Sequence, residues 1–463
     1  MAKKTTFGGD AARIAGELYE QGRAARSVVP RSAQAEYTAP AHRDPVGVLR
    51  RQHEQRLAWL VPLRVERMSA DPFAFYRGTA AIQAGDLAAS VSSGADVVLC
   101  GDAHIANFGM YRSPEGSMVF DVNDFDEGFV GPWEWDLKRL LASAVLAGRA
   151  LGMPADKVRG ATQLAASHYR EALDEALQRS LYARFTTVTS VTDRRKLSPD
   201  TELMIKTVLK ESAKRTSERV AKRTLERGPD GTLQFIERSP VLSRLEPEAR
   251  QFVGQVFEDY RASLPPHVAL WLSQYTVLDA ARRVVGVGSV GTRCFIIALG
   301  DASGDILILQ LKEATASVLQ EFGGRRGTQG YLDQALADGQ HGYRVVGCQR
   351  ILQAVSDQML GYLAVEGFSF YMRLFRNRNA SFEISDMNLP QFEDYVASCA
   401  TVLARAHARS PKAGFAAGYM GNGDSFLRAV TEWAHQYANQ AETDYAVFLE
   451  AARDGAFAQI ETP

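Results

Sequence analysis

The first half of the chain alternates short apolar runs with long helical stretches. Residues 97–100 and 118–120 are apolar and bounded by turn residues, which predicts two short buried strands. Residues 44–89 follow a helical pattern that breaks at Pro72, and residues 133–180 have long helical periodicity. The pattern predicts a mostly helical region with a few strands at its centre.

The pattern changes after Ala281. Residues 282–313 alternate apolar and polar positions around two glycine-rich turns, which predicts three strands, and residues 368–375 predict a further strand. Residues 228–235 are typical of a hairpin, and residues 390–458 are again helical. These strands therefore form a second region, distinct from the helical one.

Together these patterns predict an α+β protein with a mostly helical large lobe and a small antiparallel-sheet lobe. We expect a mobile N-terminal arm with one short helix over residues 1–40, because this stretch contains little that could form a core. Residues 41–275 and 377–463 are predicted to form the large lobe, and residues 276–376 the sheet lobe. A chain of 463 residues is long enough for two lobes.

Composition narrows the functional classes. The formal net charge is -1, so no overall field attracts nucleic acid or an anionic membrane, and no nucleic-acid or membrane partner is predicted. The basic helix over residues 203–226 is explained by a solvated face. The four cysteines form no CxxC pair, and no apolar run resembles a signal peptide or a membrane span. We therefore expect a cytoplasmic protein.

The segment LCGDAHIANFGM contains the strongest candidate for chemistry. Asp102 and Asn107 lie five residues apart directly after a predicted strand. Kinase-type phosphoryl transfer uses this arrangement: a carboxylate accepts the proton of the attacking hydroxyl, and an amide a few residues later binds Mg²⁺. The alternative is a simple turn in which Asp and Asn serve as turn formers. The spacing and the second acidic loop favour chemistry.

The second acidic loop, in MVFDVNDFDEGF, follows the next predicted strand. It offers Asp121, Asp124, Asp126 and Glu127 as carboxylates. Mg²⁺ binds through one or two carboxylates and keeps several waters, so the whole set is not needed. We predict Asp124 and Asp126, with Asn107, as metal ligands, and the surplus is expected to include one solvent-facing or structural acid.

A glycine-rich turn and a lysine occur downstream instead of upstream. Gly286, Gly288 and Gly291 form a GxGxxG motif between predicted strands, and Lys312 ends the second strand after it. Glycine amides can approach phosphate oxygens closely, and the lysine would bind the nucleotide. A Rossmann motif would need a helix directly after the glycines, where a strand is predicted. A structural hairpin remains the alternative.

The glutamate that pairs with such a lysine is harder to locate. Glu321, nine residues after Lys312, is the candidate, because Glu313 would point to the opposite face of its strand.

At these residues the chain resembles the aminoglycoside phosphotransferase and choline kinase branch of the protein-kinase-like superfamily. The matching positions are Asp102, Asn107, Asp124, Phe125, Asp126, Gly131, Pro132, Asp136 and Leu137. The resemblance implies ATP and Mg²⁺ as cofactors, Asp102 as catalytic base, Asn107 and Asp124 as metal ligands, and Asp136 as a structural acid. Cys100 stands near the usual loop histidine and departs from that pattern.

The wider sequence resembles the bacterial domain of unknown function 2252 family. The resemblance is carried by LVPLRVERMSADPFAFYRG, CGDAHIANFG, NDFDE, LQLKEA and LARAHARS. Because the glycine motif and the lysine follow the catalytic loop in the chain, the motif order suggests a circularly permuted, two-lobed kinase-like fold. Permutation is tolerated when the original termini lie close together at the surface.

Three functions remain open from the sequence. The first is a Mg-ATP-dependent phosphotransferase acting on a hydroxyl or amine of a small molecule or protein. The second is a non-catalytic nucleotide-binding scaffold of kinase ancestry. The third is a metal-dependent phosphoesterase built on the Asp102-Ala103-His104 motif, which the eight dispersed histidines support poorly. Neither the acceptor nor the oligomeric state can be read from the sequence.

Other residues in these motifs have two interpretations each. Arg77 is predicted either to contact a phosphate or to form a buried ion pair behind the catalytic loop. For His104, a hydrogen-bonding role is weighed against a place near the phosphates. His407 is predicted to be a hydrogen-bonded packing residue, and Trp133 and Trp135 are predicted to belong to the core.

Overall fold

The computed structural model describes residues 7–188, 197–213, 217–229, 231–284, 286, 290–326, 339–375 and 380–458. In this part of the chain the helices are α1 Phe7–Ala25, α2 Pro45–Glu54, α3 Val61–Met68, α4 Pro72–Arg77, α5 Ala80–Ala88, α6 Trp133–Ala150, α7 Ala155–Gln178, α8 Leu181–Thr186, α9 Pro199–Ser212, α10 Ser217–Thr224, α11 Pro247–Arg250, α12 Val253–Ala262, α13 Pro266–Leu272, α14 Val318–Glu321, α15 His341–Leu352, α16 Leu389–His407, α17 Ala413–Met420 and α18 Ser425–Arg453. The strands are β1 Asp96–Leu99, β2 Phe108–Arg112, β3 Met118–Val122, β4 Phe129–Pro132, β5 Leu225–Arg227, β6 Leu233–Phe235, β7 Leu242–Arg244, β8 Thr276–Arg283, β9 Cys294–Gly300, β10 Ile306–Glu313, β11 Gly361–Val365 and β12 Phe368–Leu374.

Helix α6 forms the centre of the large lobe. Its residues are buried on every side from Trp133 to Gly148, which is the pattern of a helix enclosed by others. It packs against α7, α16 and α18. The charged residues of its first turn, Glu134 and Asp136, are also buried, so they need partners in the surrounding structure.

Four short strands lie beside α6 in two antiparallel pairs. β1 pairs with β4, and β2 pairs with β3. One connection, over residues 100–107, joins β1 to β2, and a second, over residues 123–128, joins β3 to β4. The two loops meet where the Asn123 amide donates to the Asn107 carbonyl at 2.8 Å.

The sheet lobe is a six-stranded antiparallel sheet in the order β11-β12-β10-β9-β8-β7. Alternate residues of β9 face opposite sides, as a strand requires. Ile297 and Leu299 belong to an apolar cluster with Phe257 of α12, whereas Ile296 and Ala298 pack with Val220 of α10. Helices therefore cover both faces of the sheet, which explains its continuous apolar strands.

The α+β architecture with a small antiparallel sheet is confirmed. The three strands expected over 282–313 correspond to β8, β9 and β10, although β8 begins earlier, at Thr276. The sheet lobe also begins before the expected boundary at residue 276, because β7 joins its edge and α12 packs on its face. The predicted hairpin at 228–235 corresponds to β5 and β6.

The N-terminal segment differs from the predicted arm. Helix α1 has 19 residues and packs against α17. A Cβ at Gly22 would lie 2.1 Å from the Phe415 carbonyl oxygen, and one at Gly418 would lie 2.0 Å from that of Tyr19. The two helices therefore touch through glycine positions, a contact that a search for large apolar residues does not detect. None of the helices in the described residues has the length and apolar character needed to cross a bilayer.

Candidate functional site

The loop after β1 is held by a buried carboxylate from α6. Asp136 accepts hydrogen bonds from the backbone amides of Cys100 at 2.8 Å and Gly101 at 3.0 Å. The Cys100 thiol also reaches Asp136, at 3.3 Å. The prediction that Asp136 is a structural acid is confirmed. Because two amides converge on one carboxylate, the loop has a fixed orientation relative to α6.

A histidine from the far end of the chain completes this anchor. His407, at the end of α16, lies 3.3 Å from Asp136 through Nε2 and 2.7 Å from the Tyr169 hydroxyl through Nδ1. His407 is buried, so its prediction as a hydrogen-bonded packing residue is confirmed. Cys100 has the position where a loop histidine was expected, and His407 supplies an imidazole from elsewhere in the fold.

Gly101 occupies a position where a side chain does not fit. Its φ is +82°, and a Cβ there would lie 2.1 Å from the Glu127 carbonyl oxygen of the second loop. Glycine alone adopts this conformation without strain and lets the two loops approach so closely. Asp102, the next residue, is thereby aimed into the space between the loops.

Asp102 forms an ion pair with α6. Arg139 Nε donates to Asp102 Oδ1 at 2.8 Å, and His104 Nε2 lies 3.7 Å from Oδ2. Arg139 is itself held by Gln83 and by the ring of Tyr76, 4.0 Å from the guanidinium carbon. Burial raises the pKa of the Asp102 carboxyl, and Arg139 only partly opposes that rise.

Asn107 is oriented by the same loop. Its side-chain Nδ2 donates to the Asp102 carbonyl at 2.6 Å. That bond uses the amide nitrogen, and Asn107 lines the pocket. An amide oxygen is a suitable ligand for a hard cation.

Asp124 and Asp126, in the second loop, meet Lys312 of β10. Lys312 Nζ lies 3.4 Å from Asp124 Oδ2 and also contacts Asp126 Oδ2. The Tyr371 hydroxyl donates to Asp126 Oδ1 at 2.8 Å. Lys312 is only 3% exposed, so a buried ammonium group bridges two carboxylates. Two acids that converge on one cation are also arranged to share a metal ion.

The charges in this cluster stabilise one another. Burial disfavours the charged ammonium, yet Asp124 and Asp126 outweigh it and hold the pKa of Lys312 well above its usual range. Burial, together with the neighbouring Asp126 carboxylate, raises the pKa of Asp124. For Asp126, Lys312 outweighs burial and keeps the pKa below its usual value. The ammonium and the Asp126 carboxylate are therefore both ionised at neutral pH.

One pocket of about 190 Å³ brings the predicted residues together. The residues from the sequence prediction that line it are Asp102, Asn107, Asp124, Asp126, Gly286 and Lys312. They come from two segments about two hundred residues apart in the chain. Among the described residues, no group of three or more His, Cys, Asp or Glu side chains is arranged to hold a metal. Mg²⁺ needs fewer carboxylates, and Asp124, Asp126 and the Asn107 amide suit it.

The remaining predicted nucleotide-binding residues lie in different places. Gly288 is outside the described residues. Gly291 has φ +95° and packs on Arg56. Its carbonyl accepts from the Leu57 backbone amide at 2.7 Å, so Gly291 is held against the residues that follow α2.

The structure does not bring Glu321 to Lys312. The Glu321 carboxylate accepts from Gln55 at 3.3 Å, and the acids on Lys312 are Asp124 and Asp126. Glu313 points away, as its position on the strand predicts, and pairs with Arg293 at 3.0 Å. The lysine therefore obtains its counter-charges from the second loop instead of a helix of the sheet lobe.

Residues 56–451 match the model of a family described as an uncharacterized protein conserved in bacteria, DUF2252. The chain belongs to this family. No curated protein and no solved structure matches it. The match spans both loops and the sheet lobe. The matched region therefore includes every described residue that lines the pocket except Gln52.

Two of the acids around the second loop, Asp121 in β3 and Glu127 in the loop itself, accept backbone hydrogen bonds in this DUF2252 chain. Asp121 accepts from the amides of Val122 at 2.9 Å and Ala354 at 3.4 Å and does not line the pocket. Glu127 lines the pocket, but its carboxylate accepts from the Val318 amide at 2.7 Å, and burial raises its pKa to about 7. The expectation that the surplus acids include a structural one is confirmed by Asp121.

Asp121 gives a testable dependence of stability on pH. Burial raises its pKa to about 6, although Arg409 and the two amides oppose the rise. A carboxyl with a raised folded-state pKa loses stabilisation as pH rises from about 4, its unfolded value, to about 6. Relative to Asp121→Asn, the wild type should therefore lose about 2–3 kcal/mol between pH 4 and pH 7. Denaturant unfolding of both proteins at several pH values measures this, and parallel curves would refute it.

Sequence reasoning missed several residues around the pocket. Arg344 of α15 donates to the carbonyls of Gly128, Asp126 and Thr315 and so fixes the backbone of the second loop. Arg373 of β12 donates to the Asn123 carbonyl at 3.1 Å and lines the pocket. Lone arginines in a helix or strand have no local signature, so no sequence signal distinguished them. Trp133 and Trp135 are buried, and their core prediction is confirmed.

Proposed function

We propose that this protein is a Mg-ATP-dependent phosphotransferase with a circularly permuted, protein-kinase-like two-lobed fold. It acts on a hydroxyl or amine of a small-molecule or protein acceptor. The observation that carries the proposal is the single pocket lined by Asp102, Asn107, Asp124 and Lys312. Kinase-type transfer needs a base, a metal-binding pair and a phosphate-binding lysine within one site.

The order of the elements along the sheet lobe supports the proposal. The glycine-rich sequence lies between β8 and β9 in the chain, Lys312 lies on the next strand, and α15 follows before the last two strands. In protein kinases a glycine-rich loop covers the phosphates, the lysine is on the third strand, and a helix comes after it. Here this lobe follows the catalytic loop in the chain, which is the basis for the permutation.

The metal would be held by Asp124, Asp126 and Asn107. When bound, Mg²⁺ supplies positive charge that neutralises the phosphates during transfer. The contact of Lys312 with both carboxylates supports this assignment, because it places one cation where the two acids converge. With nucleotide bound, the lysine is expected to turn to the phosphates, and its charge remains in the pocket.

Asp102 would accept the proton of the attacking group. Its raised pKa suits a base, since a carboxylate with an ordinary pKa is a weak proton acceptor at neutral pH. Arg139 orients the carboxylate through Oδ1, and Oδ2 lies 3.7 Å from His104 Nε2. The transfer itself then depends mainly on positioning and on charge stabilisation.

A non-catalytic nucleotide-binding protein is the second candidate. The ion pair between Asp102 and Arg139 is the observation that favours it, because the guanidinium opposes part of the basicity that burial gives the carboxylate. The two candidates share the nucleotide site and differ in turnover, so binding and turnover have to be measured separately.

Calorimetric titration of Mg-ATP into the wild type and Lys312→Ala tests the nucleotide site. Saturable, Mg²⁺-dependent binding is expected, and the variant should bind about tenfold to a hundredfold more weakly because a charge-assisted contact is lost. Lys210→Ala, an exposed lysine on α9, is the matched control and should bind like the wild type. Folded wild type that binds neither ATP nor GTP would remove the foundation of the proposal.

A further inference from the structure

Arginines of the N-terminal helical segment form one wall of the pocket. Arg56, Arg64 and Arg77 line it together with His104. None of these arginines belongs to the metal, lysine or base assignments above. The segment therefore supplies positive charge to the site beyond what the nucleotide-binding residues provide.

Arg77, at the end of α4, is the arginine best placed to bind a ligand. Its Nε is buried and has no hydrogen-bond partner among the residues that the structure describes. The ion pair of Asp102 is with Arg139, so the alternative role for Arg77, a buried ion pair behind the loop, is filled by another residue. Arg77 and the proposed base, Asp102, line the same pocket.

Arg64 and His104 line the same pocket and also carry buried nitrogens that have no partner in the described part of the chain. Arg64 is 1% exposed and donates to the Gly78 carbonyl at 2.9 Å, next to Arg77 in the chain, yet its Nε has no partner in the described structure. His104 is 4% exposed, and its Nδ1 is likewise without a partner there. An unpartnered buried polar atom is costly, and the Nε atoms of Arg64 and Arg77 are donors on residues that line one pocket, where a bound anion would supply acceptors.

Two other cations that line the pocket, Lys312 and Arg373, already have partners. Lys312 contacts Asp124 and Asp126, and Arg373 donates to Gln310 and to the Asn123 carbonyl. These are the groups assigned to the nucleotide and the metal. Arg64 and Arg77 line this pocket together with Asp102, the carboxylate to which an acceptor must lose its proton.

We propose that the acceptor is a hydroxyl compound that carries an oxyanion, phosphate or carboxylate, which Arg77 binds while Arg64 adds positive charge behind it. This inference rests on the proposed function. The planar guanidinium of Arg77 can hold either oxyanion through two parallel hydrogen bonds. The acceptor oxygen bonds to the γ-phosphorus, the bond from that phosphorus to the β–γ bridging oxygen breaks, Asp102 takes the hydroxyl proton, and ADP leaves.

Anion binding to the nucleotide-loaded protein tests the inference. The protein is first saturated with Mg²⁺ and the β,γ-imido analogue of ATP, so that the γ-phosphate position is filled. Inorganic phosphate and acetate are then titrated separately, to tell a phosphate-bearing acceptor from a carboxylate-bearing one. At least one anion should bind saturably, and Arg77→Gln should weaken it about tenfold or more. The affinity of Arg77→Lys for the anion should fall between those of the wild type and Arg77→Gln. Lysine keeps the positive charge but lacks the planar guanidinium that forms two parallel hydrogen bonds.

The controls separate this inference from the nucleotide site. In Arg77→Gln the affinity for the Mg²⁺–nucleotide analogue should stay within about twofold of the wild-type value. Arg223 is an exposed arginine on α10, and Arg223→Gln should change neither the nucleotide affinity nor the anion affinity. The acceptor assignment is overturned if no anion binds, if Arg77→Gln leaves anion binding unchanged, or if Arg77→Gln weakens nucleotide binding instead of anion binding. A wild type that binds no nucleotide overturns the proposed function itself, a result distinct from these three.

Discussion

Asp102→Asn should lower Mg-ATP turnover about a hundredfold to ten-thousandfold, the usual contribution of a positioned base, while Mg-ATP affinity stays within about twofold. Asparagine keeps the shape of the side chain and can still accept from Arg139, 2.8 Å away in the wild type. It cannot take a proton. Because Asp124, Asp126 and Lys312 are unchanged, nucleotide binding should persist. Release of ADP and transfer of phosphate to protein or added acceptors measure turnover, and calorimetry measures affinity.

Two further results sharpen that experiment. Asp121→Asn neutralises a buried aspartate near the pocket that does not line it, so it controls for the loss of a buried charge and should retain turnover. Full turnover in Asp102→Asn would eliminate Asp102 as the base. Turnover absent even in the wild type, with intact Mg-ATP binding, would favour the non-catalytic candidate, and cleavage of a generic phosphate ester without ATP would favour a phosphoesterase.

Asp136→Ala should lower the free energy of unfolding by about 3–5 kcal/mol. Asp136 is 1% exposed, and its removal leaves the amides of Cys100 and Gly101 buried without an acceptor. His407 loses a partner as well. Unsatisfied buried donors lose their hydration without compensation, which makes this change far more costly than an ordinary surface substitution. Urea unfolding followed by circular dichroism gives the value.

A series at the same position locates the cause. Asp136→Asn retains one carbonyl oxygen as an acceptor and should lose only about half as much stability as the alanine variant. Asp156→Ala, on the first turn of α7 with a side chain 77% exposed, should change the free energy of unfolding by less than about 0.5 kcal/mol. Equal losses for alanine and asparagine at position 136 would contradict the hydrogen-bond explanation.

Many residues that line the pocket could be predicted because short local sequence patterns identify them. The strand before Asp102, the spacing to Asn107 and the acids at Asp124 and Asp126 are short-range features, and the structure places these residues together. Gly286 and Lys312 were predicted from a glycine-rich turn followed by alternating strands, and both line the pocket. A turn or a strand needs only neighbouring residues to be recognised, since its periodicity and turn chemistry are local.

The partners of these residues were decided only by the tertiary structure. Lys312 meets Asp124 across 188 positions of the chain, whereas its predicted partner, Glu321, lies elsewhere. His407 reaches Asp136 from 271 residues away, and Arg139 pairs with Asp102 without any local signature. The sequence by itself thus determined which groups have the chemistry and which short elements present them. Packing of α6, the sheet and the N-terminal helices decided their pairing, because contacts between distant segments depend on how whole faces fit together and leave no periodic trace in the chain.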